Sequence, residues 1–385
     1  MTAATAEPGP SFALNGTERM VREAADQALA SFADNARIVA LESDPLGYDT
    51  SAWAEMTRLG WPGFALPEAG GGDGGSLVEV GQLMEAVGWA AYPSPLLEVT
   101  TTAAMLSTLR RTAASERAID GVAGKIGRGA IVILAAPLGD LTTVAARRGL
   151  GWVLSGPPRP LAWAGCADEL LVLAEIEGKD ASALVRVPGP ALEGRVRTAR
   201  SLDNERIGVV DVDGLKAGTV VDGIRPASAE RALDRVRLLR AAEMAGGAER
   251  TLVMTREYML ERHQFGRPLG AFQAVQHHLA DMRIAVDAAL LTVREGLSLA
   301  EMGASSGASA AIAAFVAGRS YTQVTITAAQ LFAGVGAAKD HRLHHHFRRA
   351  KAMQLRLGSR TTQLRRILDT AVLDAAPGPW RTPSR

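Results

Sequence analysis

The chain is short of several things, and each shortage excludes a class of protein. It has one cysteine, Cys166, in 385 residues, so no internal disulfide framework is possible and a reducing compartment suits it. No apolar run approaches the roughly 18 residues of a membrane span. Net charge is nearly nil: 42 Lys and Arg against 41 Asp and Glu leave +1, which argues against a nucleic-acid groove or any polyanion partner. The opening MTAATAEPGPSFALNGTERM lacks a basic segment followed by an apolar core, so no signal peptide is expected. Both ends read as frayed termini, and a cytoplasmic location is the expectation. There is no internal repeat. The one biased tract, the Ala-rich GASSGASAAIAAFVAG, reads as a tightly packing helix.

What is present divides into three textures, as a length too great for one simple core predicts. Residues 16–45 show helical spacing through Met20, Val21, Ala24, Leu29 and Phe32. Trp53 opens another helix, which ends in a Gly/Pro-rich turn over 60–76. Glycine there permits a close backbone approach, to a ligand or within a simple connector. Helices follow from 77 to about 118. From 127 the pattern becomes short aliphatic runs, IVILAAP, GWVLSG, ELLVLAEI, ALVRVP and VVDVDG, punctuated by Gly, Pro and Asp, which predicts antiparallel strands. A boundary at 226–228 precedes helices expected over 228–261, 271–303, 308–333 and 340–373, with links short enough for an antiparallel bundle. The expected domains are 1–126, 127–225 and 226–385.

Residues 256–282, REYMLERHQFGRPLGAFQAVQHHLADM, are two amphipathic helices broken at Gly266-Arg267-Pro268. The break carries Arg262, Gln264 and Phe265, with Gln273 just beyond. Such a corner offers donors to a phosphate or ribose and a flat face to a ring. Local chemistry alone equally describes a solvated helix–loop–helix corner. The wording R-x-x-FG-x-P-L-x-x-FQ-x-x-Q-H-x-L-A-D-M, however, resembles the signature of the acyl-CoA dehydrogenase family. Upstream, W…LGW…PE-x-GG…E-x-x-G…PSPLL is similar to the family's first domain, so the resemblance spans nearly the whole chain. It implies an α+β fold: a helical N-terminal domain, a middle antiparallel β-domain and a C-terminal four-helix bundle.

The resemblance also implies chemistry. In this family a glutamate removes the α-proton of an acyl-CoA thioester while FAD accepts the β-hydride, giving the 2,3-enoyl-CoA. FAD contacts are lent by the C-terminal domain of a neighbouring subunit. Arg262, Gln264, Phe265 and Gln273 match that region. So does Gln330-Leu331-Phe332-Ala333-Gly334-Val335-Gly336, similar to Q-x-x-GG-x-G with Ala333 in place of a usual glycine beside Gly334. Ser359 falls at the threonine of the family's E-G-T. The flavin-ring loop, T-E-P-x-x-G-S-D in the family, survives only as Pro137, Gly139 and Asp140. A following W-x-(I/L)-x-G strand would place Trp152 over the ring, with Gly156 behind it.

The catalytic carboxylate is missing from both places where the family carries it. Leu357 stands at one, Val236 (ahead of Arg237) at the other. Glu243, two helical turns beyond Val236, is a spare candidate whose commoner role is an ion pair, and Asp234 is a weaker one. His341 and His344-His345-His346 beside Asp340 invite a metal reading, but consecutive helical residues point apart and no metal site is expected. His277 and His278 are expected in packing or an interface. By resemblance, then, the chain is the non-catalytic subunit of a heteromeric acyl-CoA dehydrogenase. It would pair in an α2β2 heterotetramer with a homologous catalytic chain, with acyl-CoA as substrate and an electron-transfer flavoprotein as acceptor. Such assemblies occur among actinobacteria that degrade steroid side chains, so a bulky steroid-type acyl-CoA is the expected substrate. The chain alone is expected to be inactive. The alternative is an inactive paralogue that binds acyl-CoA or another protein; a His-based metallohydrolase is remote.

Overall fold

A computed structural model describes residues 12–109, 112–138, 142–149, 151–304 and 306–373. The first unit is helical: α1 (Gly16–Phe32), α2 (Asn35–Leu41), α3 (Thr50–Arg58), α4 (Leu77–Ala90), α5 (Leu96–Thr108) and α6 (Ala113–Gly127). Reciprocal side-chain caps start α1 (Asn15 with Glu18) and α4 (Ser76 with Glu79), satisfying amide groups that a helix start leaves open. The helix expected over 16–45 is two, because Asp34 accepts from the Arg37 amide and caps a fresh start. In the turn over 60–76, a Cβ on Gly72 would lie 2.3 Å from the Leu66 carbonyl oxygen. The close approach there is to the loop's own backbone.

The middle unit holds β1 (Val132–Ala135), β2 (Val144–Arg148), β3 (Gly151–Ser155), β4 (Arg159–Ala162), β5 (Glu169–Ile176), β6 (Ser182–Pro188), β7 (Val196–Arg200), β8 (Arg206–Val210) and β9 (Lys216–Ile224). A six-stranded sheet runs β1-β5-β2-β3-β9-β6 and curls so that β6 also pairs with β5; β4-β8-β7 form a second sheet. Pairings are antiparallel except β1 with β5 and β2 with β5, which are parallel. The antiparallel expectation fails at those two places because long connections let strands return in the same direction.

The third unit is α7 (Pro226–Glu261), α8 (Gln273–Glu301), α9 (Gly307–Phe332), α10 (Arg342–Arg356) and α11 (Arg360–Ile367). The helix expected over 340–373 is broken at Gly358, where φ of +93° ends α10, and Ser359 caps α11 through the Thr362 amide. α7 is buried around its circumference, packing on α4, α5, α8 and α9. Its crossing with α4 is backbone to backbone: a Cβ on Gly88 would sit 1.8 Å from the Glu243 carbonyl oxygen, and one on Gly246 1.9 Å from that of Glu85. No helix among the described residues is long and apolar enough to cross a membrane.

Candidate cofactor face and internal cavity

Where α7 ends, the Arg262 amide still donates to the Tyr258 carbonyl at 2.8 Å. The chain then turns through a two-residue hairpin, β10 (His263–Gln264) against β11 (Arg267–Pro268). Its tip, Phe265 (φ +54°) and Gly266 (φ +78°), is left-handed at both residues, the geometry of a tight hairpin turn. For phenylalanine that conformation costs on the order of 1–2 kcal/mol. Phe265 is nonetheless 91% exposed, touching only the edge of Phe272 at 6.2 Å, while Arg267 stacks on the Phe272 ring at 4.1 Å. A strained, displayed aromatic is poor for stability alone and fits a ring-binding surface.

The second sequence patch arrives at the same end of the bundle. Tyr258 stacks flat on Phe332 (4.3 Å, 7°), tying the end of α7 to the end of α9. Beyond Phe332, Ala333 adopts φ 51°, ψ −137°, a conformation glycine takes freely. Arg262, Gln264, Gln273, Gln330, Ala333 and Gly334 are all exposed. Among the described residues no side-chain polar atom of Arg262, Gln264, Gln273 or Gln330 has a hydrogen-bond partner. A guanidinium, three amides and an exposed ring are thus free on one face, the donor set a dinucleotide diphosphate and ribose require. Ser359 stands apart. It lies beyond the far end of α10, whose start is held at Phe332 by the His341 ring (4.9 Å), and α10 alone is roughly 20 Å long. Its hydroxyl is engaged in the α11 cap, 3.1 Å from the Thr362 amide.

The base positions hold no acid. Val236 is 1% and Leu357 4% exposed. Glu243 is wholly buried, and its Oε1 accepts from Nε (3.2 Å) and Nη2 of Arg349. Arg349 also donates to Glu205 at 2.8 Å; Arg356 completes the group through Glu205 at 2.6 Å and Asp203 at 2.8 Å. Burial raises the Glu243 carboxyl above its ordinary range against the pull of Arg349. Burial also pulls Arg349 down, but the Glu243 and Glu205 carboxylates outweigh it and keep the guanidinium charged. Asp234 is likewise occupied, by Arg237 at 2.9 Å. His346 is buried against the Tyr321 hydroxyl (2.8 Å), and burial pushes His345 down to about 4. Among the described residues no group of three His, Cys, Asp or Glu could hold a metal ion.

A cavity of about 600 Å³ lies between the β-unit, α5, α7 and α10. Leu134, Leu161, Ile207 and Leu355 give it an apolar wall, and Glu98, Arg159, Arg240 and Arg356 supply charge. Sequence reading passed over these four; the available signal was a charge inside otherwise apolar runs, Glu98 in SPLLEV and Arg240 in RLLRAAEM. Trp152 does not line this cavity: it is 2% exposed, donates to Thr219 Oγ1 at 2.9 Å and carries Arg147 on its face at 4.9 Å. Strand alternation turns Trp152 and Leu154 inward together, and β4 walls the cavity with Pro160, Leu161 and Ala162 instead. Gly139 and Asp140 lie outside the described residues.

Comparison with known proteins agrees with this architecture. Residues 15–118 match the acyl-CoA dehydrogenase N-terminal domain, and residues 223–372 match the acyl-CoA dehydrogenase C-terminal domain. The chain is 31% identical over 334 residues to acyl-CoA dehydrogenase FadE27 of Mycobacterium tuberculosis, covering 83% of this chain and 87% of that one. Among solved structures it superposes with a TM-score of 0.84 on a variant of the Tcur3481–Tcur3483 steroid ACAD, at 29% identity over 94% of this chain and 99% of that. The ChsE4–ChsE5 complex of Mycobacterium tuberculosis gives a TM-score of 0.84 at 26% identity, covering 96% of this chain and 100% of that. The chain belongs to the acyl-CoA dehydrogenase family, whose cofactor is FAD.

Proposed function

We propose that this chain is the non-catalytic subunit of a heteromeric acyl-CoA dehydrogenase, lending half of a FAD site to a catalytic partner of the same family. One contrast carries the reading: both base positions are filled by buried apolar side chains and the spare acids are ion-paired, while the cofactor face is exposed with its polar groups unspent. FAD, when bound, supplies hydride acceptance from the β-carbon of an acyl-CoA. Arg262 would clamp a phosphate, Gln264, Gln273 and Gln330 would bond phosphate or ribose oxygens, and Phe265 would stack on a ring. The exposed backbone at Ala333 and Gly334 would let the diphosphate approach.

Two solved relatives support the partner and substrate. One is named as the ChsE4–ChsE5 complex and the other as the Tcur3481–Tcur3483 steroid ACAD. We assign this chain an α2β2 assembly, a bulky steroid-type acyl-CoA and an electron-transfer flavoprotein as acceptor. The domains are taken as 1–126, 127–225 and 226–385. The test is to express this chain alone and with the dehydrogenase-like chain encoded beside it, then measure flavin stoichiometry and acyl-CoA oxidation. One FAD per heterodimer, with oxidation only in the pair, is expected. Full activity with one FAD per chain from this polypeptide alone refutes the reading.

A further inference from the structure

The cavity walled by β1, β4, α5, α7 and α10 is built differently from the exposed cofactor face. Its wall is apolar except where Glu98 of α5 meets Arg240 of α7, residues 4% and 8% exposed. Arg240 Nη1 donates to Glu98 Oε1 at 3.1 Å, and Nη2 to Oε2, a two-pronged pair that neutralises both charges. A guanidinium has five N–H donors. These two bonds are the ones Arg240 makes among the described residues, so three donors remain, Nε among them. Arg356 on the same wall has its charge met by Asp203 and Glu205.

Burying such a pair beside an apolar cavity costs desolvation that hydrophobic side chains would avoid. Spare donors there are satisfied when something in the cavity accepts from them. Because Glu98 already answers the guanidinium charge, a neutral acceptor fits better than a second carboxylate. The volume lies within the roughly 300–1,000 Å³ range of pockets that enclose drug-sized molecules. We infer that this cavity is a binding site in its own right for a bulky, largely apolar ligand bearing a ketone-type oxygen, with Arg240 as its hydrogen-bond donor and Glu98 positioning Arg240. The site binds without turning its ligand over, since Glu98, the one carboxylate on its wall, is committed to Arg240. It stands independently of what the exposed face lends to a flavin.

The test is equilibrium dialysis of the full-length chain with tritiated androst-4-en-3-one and with androst-4-ene, the same four-ring skeleton without the oxygen. Saturable binding of the ketone, tighter than the hydrocarbon by at least about tenfold, is expected for one hydrogen bond to a charged donor. Glu98→Leu/Arg240→Met removes both charges together, so no lone charge is left to unfold the chain. It should equalise the two ligands. Leu355→Trp, at a residue 59% exposed on the cavity rim, should abolish binding of both with the melting temperature unchanged. The inference is overturned if the ketone does not bind saturably, if the hydrocarbon binds equally well, or if Leu355→Trp leaves binding intact. Flavin content of the assembly with its partner should be the same for both variants, which separates this outcome from failure of the heteromer reading.

Discussion

Arg349→Met is the sharpest probe of whether Glu243 is a structural acid or a catalytic one. In the native chain the Glu243 carboxylate has one ion-pair partner, Arg349, and its Oε2 already lacks a donor. Removing the guanidinium leaves a carboxyl with no exposure and no cation, and a broken buried pair of this kind costs on the order of 3–5 kcal/mol. The chain can limit the loss by protonating Glu243. At pH 7 that costs about 1.36 kcal/mol for each unit above an ordinary value of 4.5, or about 3.4 kcal/mol. Glu205 keeps Arg356, so the rest of the group survives. The sign in pH follows. A carboxyl neutral in the folded chain and ionised in the unfolded one has a raised folded pKa, so its contribution improves as pH falls. Arg349→Met should therefore regain stability relative to wild type by up to about 1.4 kcal/mol per unit between pH 7 and 5. Urea titrations of both proteins at three pH values read this directly. Glu243→Leu/Arg349→Met should sit near wild type. A single variant as stable as wild type at pH 7, or a gap that widens on acidification, refutes the structural role.

Other expectations are simpler. Arg262→Ala should weaken FAD binding by the assembly by about 1.5–3 kcal/mol, the worth of a charge-assisted phosphate contact, seen as flavin absorbance lost on dialysis; unchanged flavin content would remove Arg262 from the site. Ala333→Gly should raise stability by roughly 1 kcal/mol, because glycine relieves the positive φ and alanine does not, and a fall in the urea midpoint would contradict that. His345, held down at about 4 by burial, binds its proton in the unfolded chain first, so stability should drop as pH falls below about 6.5 and level off near 4. His345→Gln should flatten that part of the profile.

The helices were legible because their spacing is local: the N-terminal run from Met20 to Phe32 and the break at Gly266-Arg267-Pro268 both stand where periodicity put them. Strand content was legible too, but the parallel pairing of β1 with β5 was not, since pairing is decided between segments far apart in the chain. Gly358-Ser359 carried a stop-and-start signal inside an otherwise continuous helical pattern, and the longer periodicity masked it. The cofactor face was readable as residue types; its strained backbone at Phe265 and Ala333 was not, because φ is not written in composition. Trp152 misled for the opposite reason, a fitting residue whose strand register turns it inward.

The deepest gap was electrostatic. Whether Arg240 is a solvated charge or a cavity donor depends on Glu98, 142 positions earlier, and no periodicity reports that. The same holds for Glu243, whose character is set by Arg349 at a separation of 106. These pairings bear directly on catalysis. A base for a weak carbon acid must be a carboxylate that faces the substrate, is desolvated, and is free of a permanent cation. Glu98 faces a cavity and is desolvated, but is paired; Glu243 and Asp234 are desolvated and paired, and neither lines that cavity. Each candidate therefore fails a requirement that its burial alone would have met. Arginine does this on both sides of α7, and where arginine is left free, at Arg262, it faces outward toward whatever binds the surface.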